Sequence, residues 1–497
     1  MSKMQEFMTI LESNSDKPDA LRKAADYAFA NGRPDLAIKI HTKALVIDGD
    51  CPKTLLKRGE AYAKQGILSC ALRDFDKSIQ MDPNSAETYF ARGTLLARTS
   101  NFDKAIEDFS AAISFRPTFS NAFYNRGLIY QKKQLYDQAI IDYTSAISLD
   151  KKNVHALNNR GIAHREQKKY SNAIDDFAAV LAQRPSFAQT HWNKALTHFM
   201  VGDYPSAWKH FEKRWDNPVF TSPKRPFTEP LWLGKSNLQN KTILLHSEQG
   251  LGDSIQYCRY VKLVQKLAGT VFLEVERPLA TLMRSLLPSN HIFTKGDALP
   301  QFDFHCPLMS LPKAFQTTIN SVPFAKPYLH VSGVRANWWR NQLSSIKGQK
   351  IGIVWQGNPK HPNDAKRSIP LKIILDELTN DVSWISLQKE LSAEDAQIIQ
   401  KQDSIIHFGD LIGDFLETGA LCKALDAVVC VDTSIAHLAG AIGKKVHLML
   451  PYVADSRWHE NRTDSPWYSY IQLYRQDEKR CWKKPLSEVM QNLSNLT

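Results

Sequence analysis

The stretch Ile243–Tyr260, ILLHSEQGLGDSIQYCRY, decides how the second half of this 497-residue chain is read. Lys241-Thr242 leads into Ile243-Leu244-Leu245, a short apolar run of the kind a buried parallel strand requires. Gly250 and Gly252 then allow a tight turn, and Asp253-Ser254 supplies an N-cap for the amphipathic run that follows. The pattern predicts the strand–loop–helix that opens a nucleotide-type α/β domain. A dinucleotide fingerprint would continue G-x-G-x-x-G and leave the helix N-terminus free for a pyrophosphate. Here Asp253 occupies that terminus and would repel a phosphate, so the loop suits a neutral, hydroxyl-bearing group. By itself the motif is equally consistent with Asp253 acting only as a cap.

Downstream of this stretch, short apolar runs alternate with helical patterns, which signals parallel α/β structure. Ile243–His246, Val271–Val275 and Phe302–His305 are strand candidates, with helices at Ser254–Ala268 and Leu279–Leu287. After a helical stretch, Val334–Leu343, a second set follows at Ile351–Trp355, Trp384–Leu387, Ala427–Val431 and Val446–Leu450. Two such sets predict two Rossmann-like domains, with ligands beyond the carboxyl ends of the strands.

Two loops of the second set carry candidate chemistry. Asp432, Thr433 and Ser434 follow a buried strand and open a helix, whose N–H groups and dipole suit a phosphate. His437 lies one turn further along the same face. These residues are also accounted for as caps and core. The loop WQGNPKHPNDAKRS, Trp355–Ser368, leaves a strand at its carboxyl end with Asn358, Lys366 and Arg367. Arg367 is favoured to neutralise a departing diphosphate, because its fork matches two phosphate oxygens. Solvated loop charge is the plainer alternative.

Upstream, the chain repeats. Gly59, Gly93, Gly127 and Gly161 are 34 residues apart, as are Ala37, Ala71, Ala105, Ala139, Ala173 and Ala207. Phe75, Phe109, Tyr143, Phe177 and Phe211 keep the same period, and Pro83, Pro117 and Pro185 mark unit ends. The pattern resembles the tetratricopeptide repeat, a pair of antiparallel helices, with five clear units from about Pro52 to Thr221 and a weaker one before them. Small residues are expected where paired helices approach, and aromatics between units. Arg58, Arg92, Arg126 and Arg160 each precede an aspartate by 16 residues (Asp74, Asp108, Asp142, Asp176), which predicts an ion pair within each unit. The next unit departs, with Lys194 and His210. Pro218, Pro223, Pro226 and Pro230 then mark an extended connector, whose Phe220, Phe227 and Trp232 predict that it is packed down.

The composition sets bounds. The net charge of +12 splits into +6 for residues 1–221 and +6 for the rest, with no basic block, so no nucleic-acid partner is inferred. Seven cysteines without a C-x-x-C argue against zinc or a disulfide framework, and a reduced cytoplasm is the expected location. The N-terminal segment lacks the apolar core of a signal peptide, and no run of about 18 apolar residues predicts a membrane span.

The stretches EQGLGDSIQYCRY, WQGNPKHPNDAKRSIPL, DTSIAHLAGAIGKKV and DSPWY are similar to those of bacterial tetratricopeptide-repeat glycosyltransferases. The catalytic halves of that group resemble glycosyltransferase family 9, the ADP-heptose:lipopolysaccharide heptosyltransferases. The resemblance implies an all-α repeat superhelix over residues 18–221, after an N-terminal segment 1–17 and before a connector, 222–240. It implies a GT-B fold beyond that, with Rossmann-like domains at 241–333 and 349–497 facing a cleft and joined by 334–348. It implies an inverting enzyme that needs no metal or other cofactor. Asp253 would be the base, with Gln249, Gly250 and Gly252 in the acceptor loop. Arg367, Lys366, Asn358, Asp432, Thr433, Ser434 and His437 would hold the sugar nucleotide. Heptosyltransferases carry lysine where Arg367 stands and lack the repeats, which leaves the donor open. The repeats themselves resemble those of protein O-linked N-acetylglucosamine transferases, where an asparagine ladder grips acceptor proteins. Asn125, Asn159 and Asn193 would be its rungs here, and solvated helix surface is the alternative. The expected function is transfer of a sugar from a nucleotide donor to a protein or surface glycan. The alternatives are a protein-binding scaffold with an inactive α/β half and, disfavoured by the missing third glycine, a nicotinamide-dependent oxidoreductase.

Overall fold

The computed structural model describes residues 17–361, 363–379, 381–402 and 404–494. The chain forms two compact units, divided between Phe187 and Ala188.

The first unit is helical, with consecutive helices paired from Pro18–Ala30 and Pro34–Asp48 to Val154–Glu166 and Tyr170–Gln183. The repeated glycines make the pairing close: a β-carbon at Gly59 would lie 2.6 Å from Phe75, and one at Gly161 would lie 2.7 Å from Phe177. The periodic aromatics fill the contact inside their own pair and also reach the following unit as expected, Phe75 clustering with Leu95 and Phe109 with Ile129. Each predicted arginine–aspartate pair forms as a two-pronged fork, with Arg126 Nε and Nη2 donating to Asp142 at 2.8 and 2.7 Å. The remaining nitrogen, Nη1, reaches back 16 residues into the preceding pair, to Thr42, Asp76, Ser110 or Thr144. One guanidinium thus ties two helices together and joins one repeat to the next, a link the sequence reading did not anticipate.

The second unit opens with Ala188–Met200 and Tyr204–Phe211, the helix pair that the sequence assigned to the array. Its apolar face joins the α/β core through Phe199, Trp208 and Phe211. Trp208 Nε1 donates to the Thr317 carbonyl at 2.8 Å, and Tyr204 stacks on His459. The connector is packed down as expected: Phe220 meets Trp192, Phe227 meets His305, and Trp232 is 3% exposed.

Two all-parallel sheets follow. The first holds β1 (Thr242–His246), β2 (Thr270–Val275), β3 (Ile292–Thr294) and β4 (Phe304–Pro307) in the order β3-β2-β1-β4. The second holds β5 (Gln349–Val354), β6 (Val382–Ser386), β7 (Ile405–His407), β8 (Ala427–Val431), β9 (Val446–Leu450) and β10 (Ile471–Arg475). Its order, β10-β9-β8-β5-β6-β7, is that of a doubly wound α/β sheet, whose winding reverses between β5 and β8. Strands β8 and β9 are buried throughout; β8 reads as a continuous apolar run for that reason, and β9 does so but for His447, whose ring pairs with Tyr474.

The sequence reading missed β3, β7 and β10, all at sheet edges. The long helix expected over Ser254–Ala268 is also broken, into Leu251–Tyr257, a 3-10 turn at Cys258–Tyr260, and Val261–Gln265. Arg259 Nε donates to the Gln256 carbonyl, the acceptor a continuing helix would have given to the Tyr260 N–H.

Candidate functional site

The loop after β1 is shaped from inside. Glu248 is 2% exposed and receives both prongs of the fully buried Arg214, which also donates to Ser310. Burial raises the Glu248 pKa to about 7, although Arg214 opposes it. Gln249 takes a left-handed φ of 59°, and its N–H donates to Ser222 Oγ at 2.7 Å.

The helix then begins differently from the expectation. Gly250 is the N-cap, and Asp253 stands three residues into the helix, its Oδ2 accepting the Gly250 N–H at 3.0 Å. This is the carboxylate arm of a capping box, so Asp253-Ser254 is not itself the cap. Gly252 serves no tight turn. Its missing side chain admits the other half of the site, for a β-carbon there would lie 2.8 Å from His437 Cδ2 and 3.4 Å from Ser434 Cα.

On that other half, Thr433 has N-cap geometry for the helix Ser434–Ala441, yet its hydroxyl caps nothing. Thr433 Oγ1 is buried and without a partner. The capping role considered for Asp432 and Thr433 is thus not fulfilled by Thr433; the Ala436 N–H donates to the Thr433 carbonyl at 3.1 Å, and the Ser434 and Ile435 N–H groups ahead of it have no cap from Thr433. Burial, with Asp455 adding, raises Asp432 to about 6, against the opposing Arg457, Trp458 and Arg367. His437 is 3% exposed and engaged on both ring nitrogens, Nδ1 at 2.8 Å from Tyr468 Oη and Nε2 at 3.3 Å from Arg457 Nη1. A guanidinium only donates, so Nε2 is the acceptor and the Nδ1–H faces Tyr468. Burial, then Arg457, holds the His437 pKa well below its usual value, so it is a neutral ring built into the wall.

Arg367 crosses the point where the winding reverses. Its Nη1 donates to the Asp432 carbonyl at 2.9 Å, Nε to Asp364 at 3.3 Å, and its fork lies over Gly357, where a β-carbon would meet Nη2 at 2.6 Å. It braces the loop after β5 against the loop after β8 and is no freely solvated charge. Lys366 is half-buried. Asn358 is exposed and closes its own turn by accepting the Lys360 N–H at 3.0 Å.

The residue that joins the two halves went unnoticed in the sequence. Arg457, in the loop after β9, donates through Nη2 to Asp253 Oδ1 at 2.8 Å, through Nη1 to Gln256 Oε1 at 2.7 Å, and through Nε to Asp455 at 2.9 Å. Its signal was available: Asp-Ser-Arg-Trp stands just beyond the carboxyl end of a buried strand, where ligands of this fold gather. Arg259 ties the halves a second time, donating to the Trp467 carbonyl at 2.7 Å between the rings of Tyr328 and Tyr468.

The asparagine series is uneven. Asn125 and Asn159 are half-buried in the first unit, and Asn159 Nδ2 donates to Tyr124 at 3.2 Å. Asn193 is 6% exposed and belongs to the second unit.

The tetratricopeptide repeat family matches residues 75–107, 120–153 and 158–214. The Caulobacter vibrioides protein FlbA is 22% identical over 327 residues, which cover 61% of this chain and 54% of that protein. The chain therefore spans about half the length of the curated relative it matches. Among solved structures, MamA is 27% identical with a TM-score of 0.31, over 33% of this chain and 96% of that one. A tetratricopeptide repeat protein from Parabacteroides merdae is 21% identical with a TM-score of 0.35, over 42% and 80%. The chain thus carries tetratricopeptide repeats, which support a protein-interaction role, followed by α/β structure with parallel sheets. Among the described residues no helix is long and apolar enough to cross a membrane.

Proposed function

We propose that the second unit is a GT-B glycosyltransferase that moves a sugar from a nucleotide donor to a protein or surface-glycan acceptor chosen by the repeats. One observation carries this reading: Asp253, in the helix after β1, is joined through Arg457 to His437, one turn into the helix that the Asp432–Ser434 turn opens, beyond the strand ends where the second sheet reverses its winding. That is the crevice in which doubly wound folds hold nucleotides. The donor diphosphate docks on the free N–H groups of the helix Ser434–Ala441, with Arg367 behind the turn. Asp253 takes the proton of the acceptor hydroxyl as its oxygen attacks the anomeric carbon. The carbon–phosphate oxygen bond breaks on the opposite face, so the configuration inverts, and the electron pair leaves on the diphosphate. Guanidinium groups and the helix N-terminus carry the developing charge in this scheme, and the reaction belongs in the cytoplasm, where sugar nucleotides are made available.

The test is thermal stabilisation by ADP, GDP, UDP and CMP, followed by transfer assays with sugar nucleotides of the base that binds. Stabilisation by one base and release of its diphosphate on transfer are expected. No shift with any of the four would sink the donor reading and leave a repeat scaffold with an inactive α/β half.

A further inference from the structure

Arg457 is the most heavily engaged side chain of the site, and its partners differ in kind. Asp455 lies two residues away on the same loop and holds Nε at 2.9 Å. Gln256 and Asp253 come from the helix Leu251–Tyr257 of the other half. Nη2 divides between Asp253 at 2.8 Å and a long contact to Asp455 Oδ2 at 3.5 Å. Both members of the cross-half pair keep some access to solvent, at 17% for the Arg457 side chain and 15% for Asp253.

Around this guanidinium, donors stand idle. Gln256 is wholly buried; its Oε1 receives Arg457, while its Nε2 has no partner. Thr433 Oγ1 is buried and unpaired at the mouth of the uncapped helix Ser434–Ala441, one turn before His437, which Arg457 touches. A buried donor without an acceptor is costly to a fold. One of them beside Arg457 and the other at the helix end that His437 links to it point to an acceptor-rich anion that completes the set when it binds.

We propose that Arg457 is shared between Asp253 and the diphosphate of a nucleoside diphosphate donor. Without donor, Nη2 rests on Asp253 Oδ1. With donor, a phosphate oxygen takes Nη2, Asp455 keeps Nε, and the freed Asp253 oxygen turns to the acceptor hydroxyl. Donor binding thereby prepares the acceptor side, and the guanidinium afterwards stays with the leaving diphosphate. This rests on the sugar-nucleotide reading above and adds to it a residue and an order of events.

The two carboxylate-holding states compete, which gives an unusual signature. Calorimetry would compare ADP, GDP and UDP on the full chain, continuing with the tightest of the three on Asp253→Asn, Arg457→Gln and the double variant. Asn at 253 keeps an oxygen for the Gly250 N–H but loses the charge that holds Arg457. Asp253→Asn is expected to tighten the nucleoside diphosphate by about threefold to tenfold, within the range of coupling between groups in contact. Arg457→Gln is expected to weaken it by at least about tenfold, and the double variant to match Arg457→Gln. Arg457→Lys, alone and with Asp253→Asn, replaces the Gln variants if those do not fold. Unchanged or weaker binding by Asp253→Asn overturns the proposal. So does a gain that persists without Arg457, because mere removal of a negative charge would then explain it. A flat cycle on a nucleotide that binds the wild type overturns this proposal and leaves the donor reading standing, whereas no binding by any of the three removes the diphosphate donor and this proposal with it.

Discussion

Gly252 and His437 mark a close approach of the two α/β halves, with room between them for a hydrogen and not for a methyl group. Gly252→Ala is expected to force the helices Leu251–Tyr257 and Ser434–Ala441 apart, at about 1 to 3 kcal/mol, the usual cost of overpacking. Gly333→Ala, where a β-carbon meets nothing within 4 Å, is the control. Chemical denaturation of both variants decides the matter, and equal midpoints would show that the contact yields freely.

In the repeats, Arg126→Ala strands the Asp142 carboxylate, whose side chain is 2% exposed. Breaking such a buried pair costs about 3 to 5 kcal/mol, and the part-exposed arginine places this one at the lower end. Loss of helical circular dichroism on heating measures it. An unchanged transition would mean that the fork, with its link to Ser110, contributes little.

Arg367→Ala is expected to lower both the melting temperature and the nucleotide affinity, because the residue braces the loop that holds Asp432. Arg367→Lys should restore little, since an ammonium cannot span Asp364 and the Asp432 carbonyl as the fork does. Weaker nucleotide binding at an unaltered melting temperature would instead make Arg367 a direct ligand with no bracing role.

Asp253→Asn separates capping from proton transfer. The capping contact to Gly250 survives, and the single-turnover transfer rate should fall by about 10² to 10⁴, the usual contribution of a general base. A variant that retains more than about a tenth of the wild-type rate would leave Asp253 a structural residue.

Acid should destabilise the fold. Burial holds His41, His210, His447 and His459 at about 4, from an ordinary 6.5. The native state then binds fewer protons than the unfolded chain between those values, so their contribution is intact above 6.5 and is lost as pH falls towards 4. Glu248, raised to about 7, and Asp432, raised to about 6, work in the opposite sense as pH falls through those values. Each mismatched proton tilts stability by about 1.4 kcal/mol per pH unit, and four imidazoles outweigh two carboxyls. Urea midpoints at pH 7.5 and pH 5 check the balance, with the lower one expected at pH 5.

The repeats and the α/β halves were legible because their signals are local. A 34-residue period needs only that each unit resemble the next, and the Arg126–Asp142 fork follows from two helices packed one turn after another. The fully buried strand β8 announced itself as an apolar run, and so did β9 but for His447, a buried polar residue that pairs with Tyr474. The edge strands β3, β7 and β10 are shorter or mix polar with apolar residues, because solvent reaches part of them. Tertiary structure decided the rest. The sequence named Asp253, the Asp432 turn and Arg367 as separate pieces of chemistry. Arg457, 204 residues from Asp253, acquires meaning only when the loop after β9 is carried beside the helix that Gly252 lets in. An ion pair requires two charges at about 3 Å, a separation set by the packing of whole elements and unrelated to distance along the chain.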